Sequence, residues 1–219
     1  MHHTALIGDI KSSRRLDNWP EIFAALQSTL DEVNRCFADQ ILIPFKPTIG
    51  DEFQGALKTD TRAFDVYDFI RARLPVPFYC GVGVGEVEQT ASKDSGLRGT
   101  AFYRAREALE QCKAKKRSLY VLRTDPPPSP DDEIINAFLA LIGVLENSMT
   151  KRQRAIVAFY RLHPNLKLEQ VGAHFGVRQG TISNILKAAH YHEISEGERL
   201  VRRLMASPVR QRTKKMNNA

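Results

Sequence analysis

Residues 168–189 read LEQVGAHFGVRQGTISNILKAA, and they are the most specific indication of structure in the last third of the chain. Its apolar or small residues fall at the spacing that two short packed helices with a sharp turn between them require. The inward-facing positions are Leu168, Val171, Gly172 and Phe175 on the first helix and Val177, Ile182, Ile185 and Leu186 on the second. We expect the helices to cross closely at Gly172, and Gly176 can adopt the positive φ that the turn imposes.

The outer face of the second helix is polar, with donors and acceptors suited to base edges and phosphates. The candidates for base contact are Gln179, Ser183 and Asn184. The candidates for phosphate contact are Arg178, Thr181 and Lys187. The segment resembles the helix-turn-helix of bacterial transcription regulators, which implies DNA binding, although Arg178 stands where such motifs usually have a capping Ser or Thr. The alternative is a three-helix bundle used for contact with another protein.

The charge is distributed unevenly along the chain. Residues 1–149 contain 18 Lys and Arg against 21 Asp and Glu, whereas residues 150–219 contain 14 against 4. Because Lys and Arg neutralise phosphates and release counterions, this asymmetry favours a polyanionic partner for the C-terminal part. A basic tail alone is also typical of a solvated terminus. Together with the polar face of the second helix, the basic charge of residues 150–219 predicts binding to double-stranded DNA. Because operators are often two-fold symmetric, we also expect a homodimer.

Composition indicates a globular protein, because 42% of the 219 residues are hydrophobic and 26% are charged. Cys36, Cys80 and Cys112 are far apart and have no metal-ligand spacing, so we expect buried thiols in a reducing compartment. No run approaches the ~18 apolar residues of a membrane span. We therefore expect a cytoplasmic protein with no membrane partner.

A proline cluster divides the chain, since TDPPPSP at 124–130 has four prolines in five positions. The predicted division is an α+β domain (1–123), a Pro-rich linker with an apolar connecting helix (124–149), a helix-turn-helix domain (150–206) and a basic tail (207–219). Asp131 and Asp132 are predicted to cap the connecting helix, and Thr150 the next one. The apolar face of the connecting helix either packs against the neighbouring domain or forms a dimer seam.

Strand-length apolar runs alternate with helical periods before the prolines. The predicted strands are 5–10, 43–49, 53–57, 77–84 and 118–122, and the predicted helices are 19–36, 61–73 and 101–113. This order is βαββαβ with an extra strand. It predicts an α+β, palm-like (ferredoxin-like) domain with its helices on one face of a mainly antiparallel sheet.

Two acidic residues end neighbouring strands of that sheet. Asp9 lies at the end of the first strand and Asp51 at the tip of the following hairpin, so their carboxylates are expected to converge on Mg²⁺. Ile10, Lys11, Ser12 and Ser13 enter the next helix and are expected to present backbone N–H groups to the phosphates of a nucleotide. The alternative is that Asp9 and Asp51 are simple turn residues, and Glu52 either shares their role or orients the hairpin.

Several motifs here resemble the nucleotide cyclase superfamily. GDIKSSRRL (8–16) is similar to the metal-binding turn of class III cyclases and IGDEF (49–53) to the GGDEF hairpin of diguanylate cyclases. FYCGVGVGEV (78–87) and AFYRAREAL (101–109) are similar to later cyclase elements. With the helix-turn-helix, the whole chain resembles the SatD family of bacterial proteins, which implies a regulatory role.

The cyclase helix usually carries Asn and then Arg to stabilise the transition state. Arg106 matches the arginine and is a candidate nucleotide ligand, but Phe102 occupies the asparagine position. Loss of one such donor costs ~10²-fold in rate, so the resemblance favours nucleotide binding over turnover.

Three functions therefore remain open. The first is a transcriptional regulator with a degenerate cyclase-like sensor. The second is a Mg²⁺-dependent cyclase or nucleotidyltransferase that its helix-turn-helix places on DNA. The third is a non-catalytic dimerisation scaffold.

Overall fold

The computed structural model describes residues 2–48, 50–59, 62–88, 98–123 and 129–207. The strands are β1 His3–Ile10, β2 Ile41–Pro47, β3 Glu52–Leu57, β4 Phe78–Gly85 and β5 Leu119–Leu122. The helices are α1 Trp19–Cys36, α2 Ala63–Arg73, α3 Thr100–Lys115, α4 Pro130–Ser148, α5 Lys151–Leu162, α6 Leu168–His174, α7 Gln179–Ala188 and α8 Tyr191–Ala206. None of the helices within these ranges is long and apolar enough to cross a membrane.

Some predicted features lie outside the described residues. They are the prolines of 124–128, the basic tail from 208 onwards, and Ile49 and Thr61, which are predicted ends of a strand and a helix.

The strand order is β2-β3-β1-β4-β5, so β1 lies at the centre of the sheet. All pairs are antiparallel except β4 with β5. This is the predicted α+β fold, a βαββαβ unit extended by α3 and β5, and β1 lies beside β3 as expected.

The helices cover both faces of the sheet, so the prediction that they share one face is wrong for α3. Leu6 and Ile10 of β1 face the core that contains α1 and α2, whereas Ala5 and Ile7 face α3. The signal is the alternation GVGVG at 81–85 of β4, because its glycines leave that part of the α3 side without side chains. A Cβ at Gly83 would overlap the α3 backbone at Ala101 and Ala105.

Helix α4 docks on the edge of the sheet. The Asn136 side-chain amide donates to the Val121 carbonyl at 2.8 Å and accepts from its N–H at 2.9 Å, which satisfies both backbone groups of the edge strand β5. The N-cap of α4 is Ser129, whose hydroxyl accepts from the Asp132 N–H. The predicted capping by Asp132 is confirmed, because its carboxylate accepts from the Ser129 N–H in a capping box, but the N-cap residue is Ser129 and Asp131 makes no cap hydrogen bond among the described residues. The predicted Thr150 cap of α5 is confirmed.

Helix α2 is joined to the C-terminal helices by ion pairs. Arg71 of α2 binds Asp68 of its own helix, Glu146 of α4 at 2.6 Å and Glu198 of α8 at 2.9 Å. Arg161 of α5 binds the same glutamates, at 3.3 and 2.9 Å. We call these residues the junction cluster. Burial raises the pKa of Asp68, but Arg71 and Arg161 outweigh burial and the pKa is lowered.

The cysteines differ in exposure. Cys80 and Cys112 are buried as expected, and burial raises the pKa of both thiols, that of Cys112 to about 12. Cys36 is exposed at the end of α1, so the expectation of a buried thiol is wrong there.

Substitution of Gly83 tests the close approach of α3. We expect Gly83→Ala to lower the free energy of unfolding by about 3 kcal/mol, because the new methyl group must displace helix backbone rather than a flexible side chain. The measurement is urea unfolding. The control is Gly143→Ala in α4, where a Cβ meets nothing within 4 Å and we expect stabilisation by about 0.5–1 kcal/mol. Equal effects at both glycines would contradict the packing described.

Candidate functional site

The predicted acidic residues meet at the end of β1. The backbone N–H of Ile10 donates to the Asp51 carbonyl at 3.2 Å, and Asp9 is paired with Glu52 in the β1–β3 register. The Ser13 hydroxyl donates to an Asp51 carboxylate oxygen. Sheet topology therefore brings Asp9, Asp51 and Ser13 to one corner of the molecule, as the sequence predicts.

Two cations from α3 lie over this acidic corner. Lys113 Nζ is 2.9 Å from an Asp9 carboxylate oxygen, and Arg106 donates to Glu52 at 2.6 Å. Arg106 therefore binds a carboxylate rather than an open nucleotide site. Lys113 was not predicted, although its spacing of seven residues from Arg106 places both on one face of a helix.

The charge state of Asp9 reflects this crowded environment. Burial raises the pKa of Asp9, the carboxylates of Asp51 and Glu52 raise it further, and the Lys113 ammonium offsets part of the increase. Burial lowers the pKa of Lys113, but its hydrogen bond to Asp9 and the charges of Asp9, Glu110 and Glu52 together outweigh burial, and the pKa is raised. Asp9 and Lys113 therefore form a salt bridge between β1 and α3.

The corner as folded does not fit a resident Mg²⁺. Asp9 is neutralised by Lys113, Glu52 is neutralised by Arg106, and Asp51 accepts from Ser13. Among the described residues there is no group of three or more His, Cys, Asp or Glu side chains that could hold a metal. Mg²⁺ binding by Asp9 and Asp51 stays a prediction, and it requires Lys113 to leave Asp9.

The predicted phosphate-binding turn differs from a helix N-terminus. Residues 13–15 form a short 3-10 helix, and α1 begins only at Trp19. The backbone N–H groups of Ile10 and Lys11 donate to the carbonyls of Asp51 and Pro77, so neither is available to a phosphate.

The Lys11 side chain contacts other residues of the protein. Its ammonium donates to the Ser118 hydroxyl at 3.0 Å and lies 4.3 Å from the centre of the Tyr79 ring. Burial lowers its pKa. Phe102, at the cyclase asparagine position, is 5% exposed and packs with Ala5 and Ile7, so it serves the core.

Helices α6 and α7 pack as the sequence predicts. Val171 and Gly172 of α6 and Ile182 and Leu186 of α7 are buried. Gly176 has φ of 65°, and a Cβ at Gly172 would lie 2.5 Å from the Val177 carbonyl oxygen. The turn and the helix crossing thus require the two glycines.

The opposite face of α7 is open to solvent. Its exposed residues include Arg178, Gln179, Thr181, Ser183, Asn184 and Lys187. None of these side chains makes a hydrogen bond or ion pair with another described residue. Arg178 is the N-cap of α7 but supplies no side-chain cap, so the N–H groups of Gln179 and Gly180 have no side-chain partner in the described part of the chain, whereas that of Thr181 donates to the Arg178 carbonyl. This surface can bind an anionic or polar partner without breaking an internal contact.

Removal of Lys113 tests the salt bridge with Asp9. Lys113→Met removes the ammonium, so the pKa of Asp9 rises further above its ordinary 3.8. A carboxyl whose pKa is raised by folding destabilises the fold once pH exceeds that pKa. We expect the variant to lose about 1 kcal/mol of unfolding free energy at pH 7 and much less at pH 4, measured by urea titration. Lys46→Met, at an exposed lysine, is the control, and a loss independent of pH would contradict the assignment.

Comparison with known proteins identifies the family. The SatD family model matches residues 3–190, whereas no curated protein matches the chain. A solved structure of a bacterial light-regulated adenylyl cyclase aligns with a TM-score of 0.40 and 12% identity, over 55% of this chain and 74% of that chain. A second structure of a bacterial light-regulated adenylyl cyclase aligns with a TM-score of 0.41 and 14% identity, over 55% of this chain and 42% of that chain. Because the family model spans most of its length, the chain belongs to the SatD family.

Proposed function

We propose that the protein is a DNA-binding transcriptional regulator in which α7 enters the major groove. The observation that carries the proposal is the α7 surface, where six polar side chains are exposed and have no internal partner among the described residues. Ile182 and Leu186 hold the other face of the helix in the core. An α-helix fixed in this way fits the width of the major groove.

Charge supports a nucleic acid as the partner. Residues 150–219 have 14 basic against 4 acidic residues, and none of the four lies on α7. Glu169 lies on α6, and Glu198 lies in the junction cluster. The free N–H groups at the start of α7 suit a phosphate. Arg178, Thr181 and Lys187 add phosphate contacts, while Gln179, Ser183 and Asn184 are positioned to reach base edges.

The α+β domain acts in this proposal as a sensor rather than an enzyme. Its acidic corner is closed by Lys113 and Arg106, and Phe102 serves packing where cyclases carry asparagine. Ion pairs connect α2 to α8 and α8 to α5, and both α5 and α8 pack against α7. A change in the sheet domain can therefore reach the reading helix through packed elements.

The proposed division of contacts on α7 predicts different behaviour for two substitutions. Lys187→Ala should weaken binding to every duplex and lower the salt slope of log K by about one, because one phosphate contact is lost. Gln179→Ala should relax sequence preference at one base position, with a cost of about 1–3 kcal/mol on the preferred site. The measurement is fluorescence anisotropy at several salt concentrations, with duplexes selected from fragmented genomic DNA.

Lys46→Ala is the matched control, since it removes the same charge from an exposed lysine on the sheet. Arg178→Ala with Gln179→Ala should abolish the electrophoretic shift. If the unmodified protein has no salt-dependent affinity for any duplex, the proposed function fails.

We also propose a homodimer, in which two copies of α7 read two half-sites. The solvent-facing side of α4 carries an apolar stripe with helical spacing. Its members are Ile134, Ala137, Leu141 and Val144. Leu141 is 64% and Val144 66% exposed, and Glu133 is the one exposed charged residue within α4.

A second copy of the chain suits this stripe. Ile134 and Ser148 lie seven residues on either side of Leu141. If two α4 helices pair antiparallel about a two-fold axis at Leu141, Ile134 of one copy therefore lies opposite Ser148 of the other, and only apolar and neutral side chains face each other. The segments outside the described ranges are short and mostly polar, and none has an apolar period to match four helical turns. Exposed stripes of this kind mark protein contacts.

Introduction of a charge at Leu141 tests the dimer. Leu141→Glu places a carboxylate opposite its own copy at the axis, so we expect dimerisation to weaken by about 100-fold or more. The measurement is sedimentation velocity, with circular dichroism to check the fold. Tyr103→Glu on α3 is the control, since Tyr103 is 68% exposed and lies off the stripe. A monomeric unmodified protein, or an undisturbed dimer in the Leu141 variant, would contradict the α4 seam.

A further inference from the structure

A cleft of about 750 Å³ lies between the sheet domain and the C-terminal helices. One wall comes from α2 and residues 74–78, and the other from α4, α5 and Pro164. The junction cluster residues Arg71, Glu146 and Arg161 line part of it. This volume lies within the range of small-molecule sites, which are frequent between domains.

The cleft is largely apolar. Its apolar lining includes Phe69, Leu74, Val76, Met149, Val157 and Leu162. Leu162 is 42% exposed, and Ala158 and Pro164 beside it are also exposed. An apolar body bound here would remove these groups from water, which stabilises a complex by about 25 cal/mol per Å² of apolar area buried.

The charges of the cleft select against cations. Its carboxylates are already paired: Asp65 binds Arg62 and Arg202, Asp68 binds Arg71 and Arg202, and Glu146 binds Arg71 and Arg161. A cationic ligand would have to displace an arginine.

One basic side chain is available to an anion. Arg154 of α5 is exposed and donates to the Met149 carbonyl at 2.8 Å, and it has no carboxylate partner among the described residues. Arg73 on the opposite wall lies over the Phe69 ring at 3.5 Å and pairs with Glu32. Negative charge is therefore favoured beside Arg154, over an apolar floor.

We propose that this cleft binds an amphipathic organic anion, with its apolar rings or chain between Val76 and Leu162 and its acidic group on Arg154. The site is separate from the acidic corner and from α7, and its occupation does not depend on DNA binding. Since the two walls belong to the two parts of the chain, a bound ligand stabilises their present arrangement.

Two matched probes test the ligand class. The first is 8-anilinonaphthalene-1-sulfonate, an aromatic sulfonate, and the second is N-phenyl-1-naphthylamine, which has the same rings without the sulfonate. We expect the protein to bind the sulfonate about tenfold more tightly, measured by fluorescence titration, because only the sulfonate can accept a charge-assisted hydrogen bond from Arg154.

Two variants locate the binding. Arg154→Gln should remove the tenfold preference for the sulfonate and leave the affinity for the neutral probe unchanged, while Arg152→Gln, which changes an exposed arginine outside the cleft, should alter neither. Ala158→Trp should fill the cleft from its exposed side and weaken both probes by about tenfold or more. Urea unfolding of each variant checks that the fold is retained. Equal affinity for the two probes, or sulfonate binding that survives both cleft variants, would overturn the proposal.

Discussion

A buried carboxylate determines how the two parts of the molecule fit together. The Glu198 side chain is 5% exposed, and it lies between the guanidinium groups of Arg71 and Arg161. Loss of one partner of a buried pair costs about 3–5 kcal/mol, because the remaining charge is left unpaired in a medium of low polarity. Glu146 shares the same two arginines, so α2, α4, α5 and α8 are held in one arrangement. The orientation of α7 relative to the sheet follows from it.

Local patterns in the sequence were sufficient for most of the fold. The bounds of α1, the Thr150 cap and the roles of Gly172 and Gly176 depend on residues close in the chain, and each is as predicted. The face of the sheet that α3 covers was not predicted correctly. It depends on the absence of side chains at Gly81, Gly83 and Gly85 of β4. The Ser129 cap was missed since Asp131 and Asp132 offer the same chemistry. No element was predicted for α8, although the junction cluster depends on it.

The acidic corner could be predicted from the sequence only in part. The approach of Asp9 to Asp51 follows from strand order, so it could be derived from the sequence. Lys113 could not be placed over Asp9 while α3 was assigned to the wrong face of the sheet. A motif for metal binding gives the positions of carboxylates, but the cations that compete for them come from a distant part of the chain. In this structure Lys113 and Arg106 occupy the carboxylates of Asp9 and Glu52 and close the corner.

Coupling between the cleft and α7 has a physical route through α5. This helix lines the cleft with Val157 and Ala158, and it also packs against α7. A ligand shifts an equilibrium only between states that it distinguishes, so the cleft can regulate DNA binding only if its two walls separate in the alternative state. Such separation must break the pairs of Arg71 with Glu146 and Glu198, which cross the same boundary. The junction cluster therefore sets the energy gap that any effector in the cleft must act on.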